Sequence, residues 1–226
     1  MKIQILTGAI AIASLTTVAD AHFVLMEPPA TLMQNNLGDP QKLGPCGGAS
    51  ANPARGTPAN PGTPTGMVTK VKGGSTLHVK AQETVFHPGH YRVSLARTTA
   101  QLPADPAVTT KDTERGPWSV SAVIQNPAVP PVLVDGMFAH TEKAANPWEM
   151  DITIPNVNCP DCMLQVIQFM AEHGRNADGD FSYHHCAAVQ ITADPAKPID
   201  QRWAPIVAGT GRSGGAGRTV SPANAQ

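Results

Sequence analysis

Proline and glycine recur so often along this chain, 22 and 20 residues respectively, that few uninterrupted windows are long enough for a helix. Inside a helix, proline removes an amide donor and clashes with the preceding turn, while glycine costs backbone entropy. Short extended segments joined by turns suit that punctuation better. The clearest hydrophobic period is two. Over residues 75–85, STLHVKAQETV, the residues Leu77, Val79, Ala81 and Val85 fall on one face. Residues 91–95, 150–154, 163–170 and 187–191 are further short β candidates. The pattern predicts an all-β chain, an antiparallel β-sandwich with long loops. Residues 50–67 read as a loop. Residues 98–130 carry few strand signals and read as a long insertion. There is no internal repeat.

The ends of the chain are expected to lie outside the folded domain. Met1-Lys2 is followed by a mostly apolar or small run to Val18 and then by Ala19-Asp20-Ala21. This is the anatomy of a secretory signal with an A-x-A cleavage site, and the apolar run falls short of the roughly 20 residues that a membrane span requires. The expected organisation is a signal peptide over 1–21, one domain over 22–206, and a Gly/Ala/Ser-rich tail over 207–226 that cannot bury a core. A secreted or periplasmic monomer follows, with no membrane association after cleavage. The formal net charge of −1 gives no reason to expect nucleic acid as a partner. Four cysteines suit two disulfides in an oxidising compartment. A zinc site built from all four is the competing arrangement, but Cys46 and Cys186 are isolated and only Cys159 and Cys162 form a CxxC pair.

Cleavage after Ala21 makes His22 the first residue. Its free α-amine and ring Nδ1 can chelate one metal, and a second imidazole would complete a three-nitrogen site. An α-amine titrates near pH 8 (about 7.7–8.0), so a metal displaces its proton readily. Amine and imidazole donors with open positions favour copper. The second imidazole has two candidates, His87 and His90, either side of the Pro88-Gly89 turn between two β candidates. Tyr183 and the His184-His185 pair precede Cys186, and alternation puts at most one of those histidines on a given face. Gln168 is a polar residue late in an apolar strand. It either reaches a metal-bound oxygen or faces solvent.

The segments HFVLMEPP, HPGHYR, CPDCMLQVIQFM and YHHCAAVQI resemble those of the lytic polysaccharide monooxygenases, over residues 22 to about 191. The resemblance implies an immunoglobulin-like β-sandwich carrying one copper ion in a histidine brace. It implies His22 and His87 as ligands, Tyr183 at the axial position, and oxidative cleavage of a polysaccharide with O2 or H2O2 and an external electron donor. His90 would then orient His87 or supply a proton, and Gln168 would face the oxygen species. The pattern departs at Ala188, where relatives often carry Asp. Aromatic residues make up only 4% of the chain, which leaves little for gripping a polysaccharide. The competing function is therefore a non-catalytic extracytoplasmic protein that binds, stores or delivers copper. For the cysteines, the two-residue spacing lets Cys159 bridge Cys162, leaving Cys46 to join the N-terminal loop region to the last strand at Cys186.

Overall fold

The computed structural model describes residues 22–48, 62–176 and 180–207. The expected signal peptide and nearly all of the expected tail lie outside those residues, as does most of the 50–67 loop.

The chain folds as an all-β sandwich. Its strands are β1 (His22–Glu27), β2 (Val68–Lys72), β3 (Thr76–Val85), β4 (Gly89–Ala96), β5 (Val108–Thr113), β6 (Gly116–Ala122), β7 (Val132–His140), β8 (Trp148–Thr153), β9 (Cys159–Met170) and β10 (Ser182–Thr192). A single helical turn, α1 (Ala204–Val207), ends the described chain. One sheet has the order β1-β3-β8 and the other β2-β10-β9-β4-β7. All pairings within them are antiparallel except β2 on β10. A parallel pair requires a long crossover, which the chain from β3 to β9, running between β2 and β10, supplies.

Alternation explains the packing. On β3, Leu77, Val79 and Ala81 are buried in the core, facing Val93 and Leu95 of β4 and Leu164 and Val166 of β9 in one continuous cluster. The period-two reading of residues 75–85 therefore holds. Residues 98–130 form an insertion between the paired strands β4 and β7, and within it β5 and β6, which were not read as strands, pair as a separate two-stranded hairpin. Its strands are exposed along most of their length. Without a buried face, there was no hydrophobic alternation to detect.

Both expected disulfides are present. Cys159 joins Cys162, with Cα atoms 5.5 Å apart, and Cys46 joins Cys186, with Cα atoms 4.8 Å apart. No described cysteine remains free. Two disulfides fit an oxidising, extracytoplasmic setting, and no helix among the described residues is long and apolar enough to cross a membrane.

His184 and His185 take opposite faces of β10. The ring of His184 meets Asp105 Oδ1 at 2.8 Å. His185 turns inward, donates from Nε2 to the carbonyl of Phe23 at 3.1 Å, and packs edge-on against the Phe23 ring at 4.7 Å. Burial lowers the His185 pKa to about 4, against the opposing pull of the Phe23 carbonyl. A base whose folded pKa is depressed takes up a proton on unfolding between the folded and unfolded values. Stability should therefore fall as pH drops from about 6.5 toward 4, by up to roughly 3 kcal/mol at the acid end. Denaturant midpoints measured across that window test this. His185→Gln keeps an amide donor but cannot titrate, so it should flatten the dependence; a variant with the same slope as the wild type would assign the dependence elsewhere.

Candidate metal centre

One end of the sandwich gathers four rings from separate elements. His22 opens β1 and lies opposite Val85 at the end of β3, two residues before His87. A register irregularity separates His22 from Phe23, and bulges of this kind re-aim a side chain at a sheet margin. The His22 ring meets Tyr183 of β10 edge-on at 5.2 Å. Tyr183 lies 6.4 Å from His173, and His173 lies 4.8 Å from His87, again edge-on. All four are buried: His22 is 2% exposed, His87 8%, His173 4% and Tyr183 0%. The Tyr183 hydroxyl donates to Asn176 Oδ1 at 3.4 Å.

The loop after β1 brings charge to this array. Asp39 Oδ1 stands 3.6 Å from His22 Nε2, and Lys42 lies over the Tyr183 ring at 5.8 Å. The loop is held by Gln41, whose Oε1 accepts the Phe23 amide at 3.0 Å and whose Nε2 donates to the Leu37 carbonyl at 3.1 Å. Asn35 Oδ1 accepts the amides of Leu37 and Asp39, both at 2.9 Å. Gly38 makes this path possible. Its φ is +99°, and a Cβ there would stand 1.9 Å from the Phe23 carbonyl oxygen, so only glycine passes.

A similar close approach shapes the His87-Pro88-Gly89-His90 turn. A Cβ on Gly89 would stand 2.0 Å from the Phe169 carbonyl oxygen. The turn thus packs directly on β9, with Gly89 opposite Met170. It also separates the two histidines. Tyr91, Val93 and Leu95 of β4 belong to the core cluster. His90 lies on the other face with Arg92 and Ser94, its ring 5.2 Å from Phe169, whereas His87 turns to His173. Burial lowers the His90 pKa; nearby Asp135 opposes that shift, while Arg92 and His140 add to it.

Gln168 is fully buried, so the solvent-facing alternative is excluded. It pairs with Tyr183 on one side and Tyr91 on the other, and its Nε2 donates to Glu83 Oε1 at 3.0 Å. Its Oε1 has no hydrogen-bond partner among the described residues. Glu83 Oε1 also accepts the main-chain amide of His87 at 3.1 Å and approaches His140 Nε2 at 3.3 Å. The Tyr91 hydroxyl is raised well above its ordinary pKa by burial and by the Glu83 carboxylate.

The structure therefore sets Tyr183 against His22 and His173 against His87, pairs Gln168 with Tyr183 across β9 and β10, and puts the His90 ring against Phe169. Sequence reasoning missed Asp39, Glu83, His140 and His173. Glu83 carried a usable signal: it continues the inward row Leu77, Val79, Ala81, and a carboxylate in a buried row requires a partner. Asp39 and His173 lie outside the strands, where no period applies.

Imidazole donors suit zinc, copper, iron and nickel alike. Among the described residues, no three His, Cys, Asp or Glu side chains form a group that could hold a metal ion. A brace, however, takes two imidazoles and an α-amine. The chain matches no family model and no curated protein.

Proposed function

We propose that this is an exported copper protein of the lytic polysaccharide monooxygenase type, held to its metal by His22 and His87. The observation that supports the reading is the ring array, in which the residue after the expected cleavage site and the histidine of the Pro-Gly turn are linked in series through Tyr183 and His173. In this role His22 supplies its α-amine and ring nitrogen, and His87 supplies the second imidazole. Tyr183 limits access along one direction, and Asp39 offsets positive charge beside His22. Bound copper would supply one-electron redox chemistry for oxidising a polysaccharide with O2 or H2O2 and an external electron donor.

One observation favours a second reading. His22, His87, His173 and Tyr183 are each less than a tenth exposed, and a polymer needs an accessible metal. Copper binding without polysaccharide cleavage, for storage or delivery, fits that burial.

Secreted protein of known intact mass decides between these readings. A mature terminus at His22, one tightly bound copper and a three-nitrogen Cu(II) EPR spectrum are expected. Tyr183→Phe should alter that spectrum and leave the fold intact. Incubation of the copper-loaded protein with a reductant and chitin, cellulose, xylan or pectin should release oxidised oligosaccharides. Copper binding without such products selects the second reading, and a mature terminus elsewhere removes the brace.

A further inference from the structure

Directly behind His87 lies a buried pair that the copper reading does not use. Glu83 and His140 have side chains 1% and 3% exposed, and both bond to the main chain of one residue. Glu83 Oε1 accepts the His87 amide at 3.1 Å. His140 Nε2 donates to the His87 carbonyl at 2.9 Å. From these contacts we infer that Glu83 and His140 are positioning residues, a main-chain clamp that fixes the backbone of His87 so that its imidazole is presented as the internal metal ligand. The inference rests on the copper reading above.

The chemistry of the contacts makes the clamp stiff. His140 Nδ1 meets the Phe138 carbonyl at 2.6 Å, and its Nε2 meets the His87 carbonyl and the Glu83 carboxylate. The two carbonyls only accept, so each ring nitrogen of His140 faces an acceptor. The two bonds to His87 fall on either side of its Cα, so they restrain both backbone torsions.

The surroundings hold the clamp from behind. The His140 ring packs against Trp148 at 5.0 Å and Phe86 at 6.1 Å. Gln168 Nε2 donates to the same Glu83 oxygen, which ties β9 to the turn. The next residue is fixed as well, since the Pro88 carbonyl accepts the Ala171 amide at 2.7 Å. The His87 ring itself packs edge-on against the His173 ring at 4.8 Å.

The test compares wild type, Glu83→Ala and Glu83→Gln in the full mature protein. Glu83→Gln keeps an acceptor oxygen for the His87 amide and serves as the rescue. Glu83→Ala should weaken Cu(II) binding by about 10–100-fold and shift the copper hyperfine coupling, with Glu83→Gln restoring most of both. In the metal-free protein, exchange of the His87 amide should quicken by roughly 10-fold or more in Glu83→Ala, as expected for loss of a buried hydrogen bond, and return in Glu83→Gln. A Glu83→Ala protein with the wild-type spectrum, affinity and His87 exchange, altered only in unfolding midpoint, would make the pair merely structural and overturn the clamp. Should Glu83→Ala fail to fold, His140→Gln carries the same test, and an unchanged spectrum there overturns it too. A wild type that binds no copper at all would bring down the copper reading itself, and that result is visible before any variant is made.

Discussion

His87→Ala is expected to abolish tight copper binding, whereas His90→Ala should leave the Cu(II) spectrum as it is in the wild type. The two histidines are three residues apart, and from sequence either could be the second ligand. The turn between them gives their rings different neighbours. His87 joins the array with His173, Tyr183 and His22. His90 packs on Phe169, on the face of β4 that also carries Arg92, whose guanidinium holds Asp135 at 2.7 Å. Removing a direct ligand should cost more than the roughly 10–100-fold seen for outer partners. Calorimetric copper titration and EPR of both variants decide the assignment. Loss of the site in His90→Ala together with its retention in His87→Ala would reverse it.

Breaking the Cys46–Cys186 bridge should destabilise the protein far more than breaking Cys159–Cys162. The first spans a sequence separation of 140 and the second a separation of 3. Chain entropy of the unfolded state makes the long closure worth about 4–5 kcal/mol at most, against about 2 kcal/mol for the short one. The long bridge also ties the loop bearing Asp39, Gln41 and Lys42 to the strand bearing Tyr183. That tie is reinforced by the His184 amide donating to the Gln41 carbonyl at 2.7 Å. Its loss should therefore weaken copper binding as well as stability, while the Cys159/Cys162 double serine variant keeps copper affinity. Urea unfolding and copper titration of the two double variants measure both effects. Equal destabilisation of the two would mean that strain or residual unfolded-state structure outweighs loop length.

The strands legible from sequence were those with one buried face or a continuous apolar run. β3 announced itself by alternation, and β4, β9 and β10 by apolar residues bounded by turns. β8 was also read, from Met150 to Ile154. β2 was not read, being a five-residue edge with alternate residues exposed. β5 and β6 escaped because their faces lie largely in solvent. β7 is interrupted by Gly136 at φ +69° and Phe138 at φ +50°, which breaks the period that would have marked it.

For the candidate site, local chemistry named His22, His87, Tyr183 and Gln168, because each sits beside a recognisable feature: a cleavage site, a Pro-Gly turn, a cysteine, an apolar strand. The sequence reading preferred His87 to His90, and the different neighbours of the two rings depend on how closely Gly89 passes Phe169. Sequence could not bring in Asp39, His140 or His173. Asp39 arrives through a loop whose course depends on Gly38 clearing the Phe23 carbonyl. His140 arrives from a strand paired with β4 across a long stretch of chain, and His173 from the turn after β9. Periodicity reports which face a residue takes on its own strand, but the partners of a buried charge come from other strands, and only the packing of the two sheets sets them within hydrogen-bonding distance.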